Sequence, residues 1–155
     1  PVGALIVVNK MGYGHYSAYG YEFVDAERSV PIQRGEILAF EVPSKHAPTY
    51  AMRVVGLEND RIEYRAKQLF VNGKPAAPQL AEGRVGLIRF REQLDVTSYT
   101  AQTRSIAPAK DFTEIVRPDH IYVLGDNRDL AHDSRHFGQV PMSQVIGKVA
   151  YVFAP

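Results

Sequence analysis

Residues 125–135 hold Asp126, Asn127, Arg128, Asp129, Asp133, Ser134 and Arg135 within one short stretch that opens on Gly125. Carboxylates, guanidinia, an amide and a hydroxyl at this density admit two readings. Gly, Asp and Asn favour turns, so the stretch fits a solvated hairpin loop. The same side chains also fit a loop held in shape. Asp133 and Arg135 would form a charge-assisted pair, and Asn127, Arg128 and Asp129 would pin the chain to neighbouring backbone. Apolar residues precede the stretch (121–124) and follow it (149–153), so a strand, a charged loop and a second strand are predicted.

A second position of interest is Met52. Residues 50–56 read YAMRVVG, and a strand period of two puts Tyr50, Met52 and Val54 on one face and Ala51, Arg53 and Val55 on the other. By residue type Met52 is a filler of apolar space, because an unbranched thioether packs well and is a very weak acceptor. The chain has five histidines and no cysteine. Disulfides and thiolate metal sites are excluded, and neither a zinc site nor any other cofactor is expected.

The totals narrow the class. The chain has 155 residues, 45% of them hydrophobic and 23% charged, with a net charge of +1. One domain, or a core with one sizeable insertion, is expected. No strong basic field points to nucleic acid. No apolar run is long enough for a membrane-spanning helix, and no signal peptide is present. The chain opens at Pro1 without a Met, so it is expected to be part of something longer.

The elements that would carry these residues are mostly strands. Residues 4–8 (ALIVV) read as a buried strand. Residues 11–23, rich in Gly and Tyr, read as a flexible amphipathic loop, either packed on the core or presented to a membrane or peptide. Arg34, Gly35 and Glu36 make a turn before a strand over 37–42, which Pro43, Ser44 and Pro48 end. Residues 61–65 and 68–71 form a hairpin, followed by a turn at Asn72-Gly73-Lys74-Pro75. Residues 86–90 and 93–99 read as two strands joined at Arg91-Glu92, and 100–110 as a loop. No helix is predicted beyond single turns such as 142–145.

The charged stretch strongly resembles the last signature box of bacterial type I signal peptidases: GDNRD, then DSR, then G-x-VP and I-x-GK. These are membrane-bound serine endopeptidases with a Ser/Lys dyad. Further segments share the resemblance. Residues 1–10 resemble the stretch after the family's nucleophile box, and 34–40 its R-G-D-x-V-x-F segment. Residues 50–57 resemble Y-x-K-R-V-V-G-L, and 69–75 resemble L-x-V-N-G-K-P. The resemblance implies a mainly β fold: a signal-peptidase-like antiparallel β-sheet core over 1–60 and 111–155, with a β-rich insertion over 61–110. It also implies a nucleophilic serine about six residues before Pro1 by motif counting. An N-terminal anchor outside this chain would place the protein on the extracytoplasmic, periplasmic face of the cytoplasmic membrane.

The departures carry the functional expectation. Met52 stands where the family has its general-base lysine, followed by the matching Arg53. A thioether cannot take a proton from serine near neutral pH. Ala131 stands where the family has a serine that orients that lysine. A buried hydroxyl without its partner costs about 1–3 kcal/mol, so the two losses make chemical sense together. They fit drift of a non-catalytic relative better than a single engineered change. Leu130, Ala4, Glu36 and the Glu58-Asn59 pair also depart, and Asn59 still tolerates a left-handed turn. His132 neighbours Ala131, but in an extended segment it would point to the opposite side. His46 and His120 read as turn or strand-edge residues with no named partner.

The resemblance therefore implies a signal-peptidase-like protein with no complete catalytic set. Arg53, Asp126, Asn127, Arg128, Asp129, Asp133, Ser134 and Arg135 would remain as structural support. Its partners would be signal peptides of preproteins or an active paralogue, and a membrane surface in the full-length protein. The alternatives are a working peptidase with an unconventional base, and a β-rich binding module unrelated to the family.

Overall fold

Residues 49–56 alternate between two separate cores, as a half-buried strand should. Val54 packs with Leu38, Phe40, Ile121, Val123 and Val140, while Val55 packs with Ile62, Tyr64, Leu69, Tyr122 and Leu124. The neighbouring strand divides the same way, with Ile121 and Val123 on one side and Tyr122 and Leu124 on the other. A computed structural model describes residues 4–18, 21–25, 28–42, 48–76, 79–84, 86–104 and 110–153. Pro1 to Gly3 of the opening match, Pro43, Ser44, His46 and Pro108 lie outside these residues.

The first strands are β1 (Leu5–Asn9), β2 (His15–Ala18), β3 (Tyr21–Asp25), β4 (Ile37–Glu41) and β5 (Thr49–Gly56). Next come β6 (Arg61–Arg65), β7 (Gln68–Val71), β8 (Lys74–Pro75), β9 (Gln79–Arg84), β10 (Leu87–Leu94) and β11 (Thr97–Thr103). The last are β12 (Phe112–Ile115), β13 (His120–Leu124), β14 (Val140–Pro141) and β15 (Val145–Phe153). One helical turn, α1 (Ser134–Phe137), and a 3-10 turn (Met142–Gln144) interrupt them. The main sheet is six-stranded, in the order β1-β15-β4-β5-β13-β14. Beside it lie a four-stranded sheet, β12-β6-β7-β8, a three-stranded sheet, β11-β10-β9, and the β2-β3 hairpin. Every strand pairing is antiparallel, apart from an isolated parallel bridge between Gln102 and Asn127.

The predicted hairpin over 61–71 forms as expected, and so does the left-handed turn at Asn59, where φ is 65°. Three expectations are corrected. β1 is exposed rather than buried, because it is an edge strand paired with β15 alone. The stretch over 11–23 is largely a β2-β3 hairpin rather than a loop. The break expected at Arg91-Glu92 lies instead after Leu94, where Asp95 adopts φ 51° and β10 runs unbroken through Glu92. β11 then extends to Thr103, into the stretch expected to be loop. The span 61–110 is not walled off from the rest: Leu94, Tyr99 and Ala101 share one core with Val55, Tyr122 and Leu124.

Candidate functional site

Strand register brings Met52 and the charged stretch together. β13 pairs with β5 through Val123 opposite Val54 and Leu124 opposite Arg53. One step further along the two strands lie Gly125 and Met52. The chain then leaves the sheet, and Arg53 ties it back. Its Nε and Nη2 donate to the two carboxylate oxygens of Asp126 at 2.8 and 2.7 Å, and Nη1 donates to the Gly35 carbonyl at 2.6 Å. A bidentate fork of this kind fixes orientation as well as distance. The Arg53 guanidinium also lies 4.0 Å from the centre of the Tyr99 ring, packed over its face. Gly35 is held at φ 88°, and a Cβ there would come within 2.5 Å of Thr97.

The loop itself is pinned at almost every polar residue. Asp126 O accepts from Gln102 N at 2.8 Å, and Arg128 N donates to Gln102 O at 2.9 Å, which docks the loop on β11. Asn127 O accepts from Leu130 N and Ala131 N at 3.3 and 3.0 Å. Asp129 accepts from Thr103 Oγ1 at 2.6 Å and from Arg104 N. Burial raises the Asp129 pKa, but these bonds and the nearby Lys67 and Arg135 outweigh it and leave it below the ordinary range.

Arg128 is buried and forks onto buried Glu92 through Nη1, at 3.0 Å, and Nη2. Its Nε donates to Gly125 O at 3.1 Å. Burial opposes the Arg128 charge, and the Glu92 carboxylate reverses that effect, so the net shift is upward. Asp133, fully buried, takes Arg135 Nε and Nη2 at 2.8 Å each, caps α1 through Arg135 N, and accepts Gly125 N at 3.0 Å. Arg135 Nη2 also reaches Arg128 O. The Ser134 hydroxyl accepts Val123 N at 3.0 Å, so it is occupied as a structural acceptor. The solvated-hairpin alternative does not describe these residues.

Met52 lies half-buried on β5, opposite Leu38 on β4, against the core that holds Leu38, Phe40, Val54 and Val123. Ala131 is packed on Gly125, so closely that a Cβ on Gly125 would fall 2.2 Å from the Ala131 Cβ. Pairing with β13 stops at Arg53, so Thr49, Tyr50, Ala51 and Met52 have β4 as their one strand partner among the described residues. Among the described residues, no strand pairs with the other edge of this segment.

His132 and His136 stand at H-x-x-x-H spacing, with ring centres 5.0 Å apart and stacked. His132 also meets Phe137 edge-on at 5.8 Å. Among the described residues, no group of three or more His, Asp or Glu is arranged to hold a metal ion. His120 Nδ1 has a partner after all, the Pro118 carbonyl at 2.7 Å. Sequence reasoning missed Glu92 altogether. The signal for it was present, since a period of two places Glu92 on the inward face with Phe90 and Leu94.

Comparison with known proteins gives concordant likenesses. The profile of the family described as "Signal peptidase, peptidase S26" matches residues 1–154. A signal peptidase I of Bacillus caldolyticus is 36% identical over 156 residues, which cover 99% of this chain and 71% of that protein. A signal peptidase I of Pseudomonas aeruginosa is 31% identical over 174 residues, covering 98% of this chain and 59% of the relative. A signal peptidase IB of Staphylococcus aureus is 30% identical, covering 80% of this chain and 62% of the relative. The crystal structure of a signal peptidase I from Enterococcus faecalis superposes with a TM-score of 0.53 at 24% identity, covering 78% of this chain and 98% of that one. That last likeness shows a shared fold.

Proposed function

Since the chain belongs to the signal peptidase family, peptidase S26, we propose that it is a signal peptidase I-like protein that binds extended peptide without cleaving it. The open edge of β5 at Thr49, Tyr50, Ala51 and Met52 carries this reading. An extended segment adds to such an edge through main-chain hydrogen bonds, and alternate side chains enter pockets on either side. Met52 is the last residue of that edge, next to Arg53, where pairing with β13 begins. A thioether offers no proton acceptor for a serine hydroxyl at neutral pH. The nucleophilic serine belongs, in this reading, to residues before Pro1. Arg53, Asp126, Asn127, Arg128, Asp129, Asp133, Ser134 and Arg135 hold the edge and the loop in register, and residues 61–110 form an insertion that braces the loop through Glu92, Gln102 and Thr103.

The partners in this reading are signal peptides of preproteins, or an active paralogue that presents them. The domain works at the extracytoplasmic membrane face. The exposed apolar edge formed by β1 and β15 supports that placement, with Leu5 and Tyr151 each 66% exposed and Phe153 56% exposed. Among the described residues, no helix is long and apolar enough to cross a membrane.

A second reading keeps a working peptidase whose serine lies upstream of Pro1 and whose base is unconventional. Titration of the intact protein with a signal-peptide segment, followed by mass spectrometry, separates the readings. Saturable binding with the peptide recovered whole supports the first. A cut peptide supports the second. No binding removes the peptide-binding role.

A further inference from the structure

The outer edge of β12 is covered by a side chain rather than by a strand. β12 ends the four-stranded sheet and pairs with β6 alone. Val116 continues that pairing: its N–H donates to Asp60 O at 2.9 Å, and its carbonyl accepts Asn59 N at 2.8 Å. Main-chain groups alternate in direction along a strand, so Phe112, Glu114 and Val116 face β6 while Thr113, Ile115 and Arg117 face away. Gln139, just after α1, meets that outward row. Its Nε2 donates to Ile115 O at 2.9 Å, and its Oε1 accepts Arg117 N at 2.8 Å. A primary amide offers the same donor and acceptor types as a peptide group, so Gln139 makes two of the bonds that a neighbouring strand would make here.

The outward row is only partly taken. Among the described residues, Thr113 N, Thr113 O and Ile115 N have no hydrogen-bond partner. Thr113 and Ile115 share one face of the strand, and both are exposed, Ile115 at 63%. A cavity of about 360 Å³ lies where Gln139 meets the chain, lined in part by Ile115, Arg117, Ser134, Gly138 and Gln139. Exposed sheet edges are commonly blunted by bulges, prolines or lysines. β12 carries none of these, and its cover is one uncharged side chain that can rotate away.

We propose that the outer edge of β12 binds an extended peptide by strand addition, and that Gln139 covers the edge until the peptide displaces it. The peptide main chain would bond Thr113 and Ile115 and would replace the Gln139 amide on Ile115 O and Arg117 N. The peptide side chains that face Thr113 and Ile115 would be β-branched, because such residues pair well across strands. Recognition rests on main-chain groups and makes no demand on the charges nearby. β12 and β5 belong to different sheets, so the site stands whether or not peptide binds at Thr49 to Met52.

The test is a titration of the isotopically labelled protein with a capped hexapeptide of alternating valine and threonine, followed by amide shifts in two-dimensional NMR. The control is the same peptide N-methylated at every residue, which keeps the side chains and loses every main-chain donor. The plain peptide should give saturable shifts at Thr113, Ile115 and Arg117, and the N-methylated peptide none. Gln139→Ala should bind the plain peptide about tenfold more tightly, because two neutral hydrogen bonds no longer compete with it. No saturable shift at these three amides, an equal response to the N-methylated peptide, or unchanged affinity in folded Gln139→Ala would each overturn the proposal. Shifts confined to Thr49 to Met52 would also overturn it, while supporting peptide binding at β5. If Gln139→Ala does not fold, Gln139→Glu carries the same comparison. It keeps the acceptor for Arg117 N, loses the donor to Ile115 O, and should tighten binding about threefold.

Discussion

Gly125 and Ala131 are packed so closely that a Cβ on the first would fall 2.2 Å from the Cβ of the second. The contact closes the loop on itself at the point where it leaves β13. Gly125→Ala should therefore destabilise the protein by about 1–3 kcal/mol, the range for overpacking. In a double-mutant cycle Ala131→Gly should recover part of that loss, measured by chemical denaturation. Strictly additive effects would show that the two positions do not oppose one another.

The pair between Glu92 and Arg128 should be the costliest polar contact to break. Both side chains are almost fully buried, Glu92 1% and Arg128 2% exposed. Glu92→Ala leaves Arg128 charged and unpaired, with an expected loss of about 3–5 kcal/mol. Glu92→Leu combined with Arg128→Met should recover most of it, because removing both charges also removes the desolvation cost. Equilibrium unfolding in urea reads both variants.

Acid should weaken the fold through Asp60 and Asp129. Burial raises the Asp60 pKa, but bonds from Arg34, Leu57 N and Asn72 outweigh it and leave it lowered. A carboxylate with a depressed folded pKa stabilises fully above its unfolded value, about 4, and loses that contribution as pH falls through the folded value. Stability should be flat near neutrality and fall below about pH 4. Asp60→Asn should flatten that acid limb. An unaltered acid limb in the variant would remove Asp60 from the account.

Much of the fold was legible because period-two alternation is local. The 61–71 hairpin and the two faces of β5 follow from it directly. Met52 and Ala131 stood out because the neighbouring residues matched a long motif while these two did not. Other features depend on what lies far away in the chain. An apolar run such as 4–8 reads alike whether a sheet covers it or ends on it, so the exposure of β1 was not predictable. Arg91-Glu92 looked like a turn because two charges interrupt apolar residues, whereas Glu92 points inward to meet Arg128, 36 residues on. The glycines and tyrosines of 11–23 suggested a loop, yet strand pairing there is made by backbone and asks little of composition.

Processing of a preprotein that bears a signal peptide, by the intact protein in membranes, is the most direct measurement. With Met52 and Ala131 in place no mature product should appear while a signal peptidase I run in parallel gives it. Met52→Lys with Ala131→Ser should bring product back, since a lysine in this apolar slot has its neutral form favoured and a serine to orient it. Mature product from the protein with Met52 and Ala131 unchanged would contradict the non-catalytic reading.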